Sequence, residues 1–192
     1  VKIHRLLAIP LCLTLLVLTT SGFRACSAEQ RSVSENVTSG LSVAARAVEP
    51  GMDTVRAFRE AGKVEPATSL KLARAALDTN SAAKRFTEAA LAGSDSATLA
   101  GQLDTLVKLA GDLERDGTLH IKNEGTRLVF QLGVLAAKNG LVVAQGELKG
   151  SGTTPRIFTL DEGTRVKLSG LLPVFERNDR LLREAITRLT PP

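Results

Sequence analysis

The chain has 192 residues, 43% of them hydrophobic and 23% charged. That is enough for one domain with a buried core, and too apolar throughout for a disordered tail. Trp and Tyr are absent and there are six Phe, so the core must be aliphatic, and stacking platforms for sugars or single-stranded nucleic acid are scarce. The formal charge is +5, but without Lys2, Arg5 and Arg24 the remaining 22 basic residues oppose 20 acidic ones, which gives no electrostatic ground for nucleic-acid binding.

Lys2, His4 and Arg5 precede an unbroken apolar run, "LLAIPLCLTLLVL" at 6–18, and "TTSGFRACSA" follows it. This order predicts a bacterial-type export signal over residues 1–28 and a single mature domain over 29–192. The apolar run is short for a membrane span, which needs about 20 residues. Ala25-Cys26 resembles the lipobox of bacterial lipoproteins, although Phe23 and Arg24 stand where that family has a branched aliphatic and a small residue. The resemblance implies cleavage before Cys26, a lipid on that cysteine and a membrane tether. Two alternatives stay open: cleavage after Ala28, or an uncleaved anchor over 6–23. All three place the body outside the cytoplasm, in the periplasm or on the membrane. Cys12 is apolar filler within the run. With the leader removed, one cysteine or none remains, so no internal disulfide forms.

The body is expected to be all-α, an up-and-down bundle of four to five long amphipathic helices. Val33, Val37, Leu41, Ala44, Val48, Met52, Val55 and Phe58 recur at steps of three and four. Their phase survives Pro50-Gly51, which predicts one long kinked helix despite a proline cost of about 3 kcal/mol. Glu65-Pro66 opens the next helix. Its stripe is Leu70, Ala73, Ala76, Leu77, Ala83, Phe86 and Ala90, with a polar weak spot at 78–81. Ser94 or Ser96 is the expected N-cap of a third helix. That helix carries Leu99, Leu103, Leu106, Ala110 and Leu113, and Gly117 is expected to end it.

Residues 118–123 read as a connector, capped by Asn123 or Thr118. Residues 128–148 are apolar all round, and Asn139-Gly140 admits a hairpin. A buried helix is expected instead, because Gly133, Ala137, Gly140 and Ala144 form a small-residue seam at helical spacing. A membrane span is disfavoured by Gln131, Lys138 and Asn139. "KGSGTTPR" at 149–156 reads as a loop. "TLDE" at 159–162 matches a capping box, Thr159 with Glu162. The last helix carries Leu168, Leu171, Leu172, Phe175, Leu182, Ile186 and Leu189, with a kink at Pro173. Its outer face sets Glu176, Asp179 and Glu184 four residues before Arg180, Arg183 and Arg188.

Chemistry is thin. Neither G-x-S-x-G nor a phosphate-cradling glycine motif occurs. The C-x-x-C-H and Glu-x-x-His patterns for haem and di-iron ligation are also missing. Beyond the leader the only histidine is His120, and Met52 sits on an apolar stripe, so Met52 reads as core filler. No metal, cofactor or nucleic acid is expected, and an enzyme is the least favoured reading. The densest polar stretch, "DGTLHIKNEGTR" at 116–127, makes His120, Lys122 and Glu124 the weak candidate site, with an interhelical turn as its plainer explanation. The expected role is a non-catalytic envelope binding or scaffolding protein with an unidentified envelope partner. The alternative is a periplasmic carrier of a small apolar ligand held between Ala- and Gly-lined helices.

Overall fold

The computed structural model describes residues 33–149 and 158–190, leaving aside the side chain of Pro50. The leader with Cys26, and nearly all of the loop at 149–156, lie outside the described residues. Six helices follow in order: α1 Val33–Glu60, α2 Pro66–Leu91, α3 Ser96–His120, α4 Glu124–Lys149, α5 Glu162–Ser169 and α6 Leu172–Leu189. The protein is all-α, with five long helices packed as a bundle and α5 a short extra turn.

Three of the helix starts share one device, D/N-x-x-T. Asp95 accepts from the Thr98 N–H at 2.8 Å and from its hydroxyl at 2.7 Å. Asp161 does the same with Thr164, at 2.7 and 2.9 Å. Asn123 accepts from the Thr126 N–H at 3.0 Å and its hydroxyl at 2.9 Å, opening α4 as expected. Each side chain satisfies a backbone donor that the first helical turn leaves unpaired. Two cap expectations are therefore corrected. Asp95, not Ser94 or Ser96, caps α3, and Asp161, not Thr159, caps α5. The carboxylates win because a charged acceptor binds N–H groups more strongly than a hydroxyl does.

The caps make stability acid-sensitive. The Thr98 hydroxyl and N–H hold the Asp95 carboxyl below its ordinary range, and the Thr164 N–H and hydroxyl do so for Asp161. A depressed folded pKa gives stability that is present above the unfolded value and lost as pH falls through the folded one. Asn caps helices equally well but does not titrate. The double variant Asp95→Asn, Asp161→Asn is expected to lose less stability than wild type between about pH 5 and pH 2. Thermal melts across that range check it, and equal acid slopes would refute it.

α1 runs unbroken through Pro50-Gly51, and α2 runs unbroken through 78–81, so neither weak spot ends a helix. Gly62 and Gly93 end α1 and α2 with φ of 70° and 80°. At that left-handed turn Lys63 N–H donates to the Phe58 carbonyl and Ser94 N–H to the Ala89 carbonyl. Gly117 does not end α3. The helix continues to His120, and the missing Cβ instead makes room for the Phe130 ring of α4. The final segment is two helices rather than one kinked helix. α5 stops at Gly170, and Pro173 sits in the first turn of α6, where its missing N–H leaves no intrahelical bond unmade.

Successive long helices run antiparallel. Down α3, Thr118, Glu114 and Asp104 meet Gln131, Lys138 and Gln145 up α4, at 2.8, 2.7 and 2.7 Å. Burial pushes the Asp104 carboxyl up, but bonds from Lys149 and Gln145 outweigh it and the net shift is downward. α1 and α4 form the most extensive pair. They touch backbone to backbone at Gly40 and Gly140, so the expected small-residue seam finds its partner in α1.

α6 packs between α1 and α2 and closes the ring. It is antiparallel to α2, where Lys84 meets Glu176 at 3.2 Å and Ser81 meets Asp179 at 3.2 Å. It is parallel to α1, with Asn178 donating to the Ala45 carbonyl at 2.8 Å and Arg177 paired with Glu49 at 2.6 Å. Among the described residues the core is aliphatic apart from three phenylalanines, Phe86, Phe130 and Phe175. Every residue of the α3 stripe is buried.

The expected burial of α4 is not met. α4 is a helix, but only Thr126, Phe130, Leu141, Ala144 and Leu148 are buried. Its inner side faces α1 and α3, and among the described residues nothing covers its apolar outer side.

Candidate functional site

His120 and Lys122 sit at one end of the bundle, where the turn between α3 and α4 meets the turn between α1 and α2. The two turns face each other because both helix pairs are antiparallel hairpins with ends in register. Ile121, only 1% exposed, plugs the core between His120 and Lys122 and forces both polar neighbours outward.

The His120 ring Nδ1 lies 2.9 Å from the Asp116 carbonyl, so the imidazole folds back on the last turn of its own helix. The Lys122 ammonium pairs with Glu65 at 3.0 Å. Together with Arg59, Lys63 and Asn123 these groups line an open depression. Lys63 also lies over the Phe58 ring, 5.3 Å from its centroid. Glu124 does not line the depression. It opens α4 beyond the Asn123 cap and is exposed.

The candidate triad is therefore split. His120 and Lys122 come together, Glu124 does not join them, and Glu65 supplies the carboxylate instead. No local signal marks Glu65, which stands 57 positions before its lysine. The arrangement offers charge for a surface contact. It lacks a nucleophile with an adjacent oriented base, which acyl or phosphoryl transfer would need. Among the described residues no three His, Cys, Asp or Glu side chains lie close enough to hold a metal ion.

Two further concavities lie among the described residues. An apolar slot of about 60 Å³ lies between α1, α2, α3 and α4, lined by Gly51, Met52, Ala76, Phe130 and Ala137 among others. A groove of about 260 Å³ runs between α1 and α6, with Met52, Val55 and Leu182 along it and Arg56, Glu184 and Arg188 on its rim. Met52 packs against the core, as expected of a gap-filler. No protein-family model, curated protein or solved structure matches the chain.

Proposed function

We propose that the protein is a non-catalytic binding or scaffolding component of a bacterial envelope, exported by residues 1–28 and tethered by lipid at Cys26. One observation supports the non-catalytic half. The candidate acid–base groups already have partners, His120 a backbone carbonyl of its own helix and Lys122 the Glu65 carboxylate of the facing turn. The export half rests on the order of basic residues, apolar run and Cys26.

Intact mass of the protein from its membrane fraction tests the tether. The expected mass is that of a chain beginning at a triacylated Cys26. A chain beginning at Glu29 replaces the tether with soluble secretion. Full-length chain in the cytosol overturns the proposal.

The carrier reading draws on the apolar lining of the central slot. Its volume counts against it, because an apolar cavity of about 150 Å³ is what benzene occupies. Native mass spectrometry showing a retained apolar molecule would favour that reading over the scaffold.

A further inference from the structure

Among the described residues, five of the seven exposed large hydrophobic ones lie on α4: Leu128, Val129, Leu135, Val142 and Val143. They fall on a seven-residue repeat. Leu128, Leu135 and Val142 form one row. Val129, Ala136 and Val143 form the next, and Leu132, Asn139 and Gly146 form a third. The rows carry no charge from 128 to 146. A helix that keeps a period of seven presents a continuous seam to a second helix. The opposite side of α4 already serves the fold through the buried Phe130, Leu141, Ala144 and Leu148, and its flanks through Gly140 on α1 and the bonds of Gln131, Lys138 and Gln145 to α3.

We propose that this face is the seam of a two-fold antiparallel homodimer, α4 against α4 of a second copy. Size along the seam favours that partner. Along the Leu128 and Leu132 rows, Leu128, Leu132 and Leu135 lie towards the helix start and Asn139, Val142 and Gly146 towards its end. Running two copies oppositely sets Leu128 over Gly146, Leu132 against Val142 and Leu135 against Asn139, so each leucine meets a residue smaller than itself. Ala136 then falls beside the axis, where a small residue lets the helices approach. The parallel arrangement stacks Leu on Leu at one end and Gly on Gly at the other, which leaves a gap.

Asn139 argues against a lipid covering. α4 is long and apolar enough to cross a membrane, with a mean hydropathy of 1.4 over its most apolar stretch and 17% of that stretch buried. Acyl chains offer nothing to an amide in the middle of the strip. Around a two-fold axis the two Asn139 amides fall on adjacent layers, each giving the other a donor and an acceptor. A single polar residue in such a seam also fixes its register. Lys138 is held by Glu114 at 2.7 Å, which keeps α4 within the bundle.

The seam is about 27 Å long. Two copies bury on the order of 1,000 Å², the lower limit for a specific contact, so a reversible dimer is expected rather than a permanent one. The pairing does not depend on where the chain resides.

The test uses the full chain with Cys12→Ser and Cys26→Ser. Sedimentation velocity is expected to show a monomer–dimer equilibrium, and Val143→Lys to weaken it about tenfold or more. Circular dichroism should not change with that substitution, since Val143 is 57% exposed. Single cysteines at Leu128→Cys and Gly146→Cys then report direction. A Cβ at Gly146 meets nothing within 4 Å, so that variant folds normally. Mixed proteins are expected to form the 128–146 disulfide in preference to either self-link. A Cys12→Ser, Cys26→Ser chain that stays monomeric with Val143 intact overturns the proposal. So does a dimer indifferent to Val143→Lys, or a 128–128 link that dominates. Binding of a monomer to phosphatidylcholine vesicles through the same face would assign the strip to lipid and overturn it as well.

Discussion

Replacing Gly40 by Ala is expected to destabilise the bundle by about 3 kcal/mol, against the direction that helix propensity predicts. Ala is the better helix former by about 1 kcal/mol, so a glycine in the middle of α1 looks improvable. Packing decides otherwise. A Cβ at Gly40 runs into the backbone carbonyl of Gly140 and meets the Ala144 Cβ at 3.0 Å. Backbone cannot rotate out of the way as a side chain can, so α1 and α4 must separate along their most extensive contact. Gly101 on α3 is the control, because a Cβ there meets nothing within 4 Å. Gly101→Ala should gain about 0.5–1 kcal/mol. Urea denaturation of both variants measures the contrast. If the two shift the midpoint in the same direction, the close approach of α1 and α4 is wrong.

Phe86→Ala is expected to cost about 3–5 kcal/mol, the upper part of the range for core truncations. The side chain is fully buried on α2 in the main core cluster. The cost depends on whether neighbours collapse into the hole. Much of that cluster is alanine, including Ala82, Ala83 and Ala90 of the same helix, and alanine has no reach to fill a ring-sized void. Phe86→Leu keeps most of the volume and should cost about 1–1.5 kcal/mol. Chemical denaturation of the two variants checks the gap, and near-equal losses would place Phe86 in a collapsible pocket rather than a rigid one.

Local periodicity carried most of the fold. The α3 stripe was readable residue by residue because each stripe position faces a neighbouring helix. The seam on α4 was readable as a close approach, but its partner was not. Small residues state how near a neighbour comes, not which one comes. Gly117 misled because a glycine late in a helix usually ends it, and the ring that needs its space comes from 13 residues further on. The caps at Asp95 and Asp161 were visible in retrospect as repeats of D-x-x-T, the pattern also met at Asn123. Asn80 and Asn178 were illegible. A hydrophobic stripe skips them, yet both are buried, and their amides donate to the Phe175 and Ala45 carbonyls. Of the candidate site, sequence proximity gathered Lys122 with Glu124, while the turn geometry gave Lys122 to Glu65.

An odd number of long passes has a consequence for reach. α1 and α6 point the same way, so Val33 and Leu189 stand at opposite ends of a rod about 40 Å long. The Val33 end of the bundle carries Gly93, and the depression at His120 and Lys122 is displayed at the other. The α4 strip lies along the flank between them. Two rods joined flank to flank in opposite senses would then present one such depression at each tip.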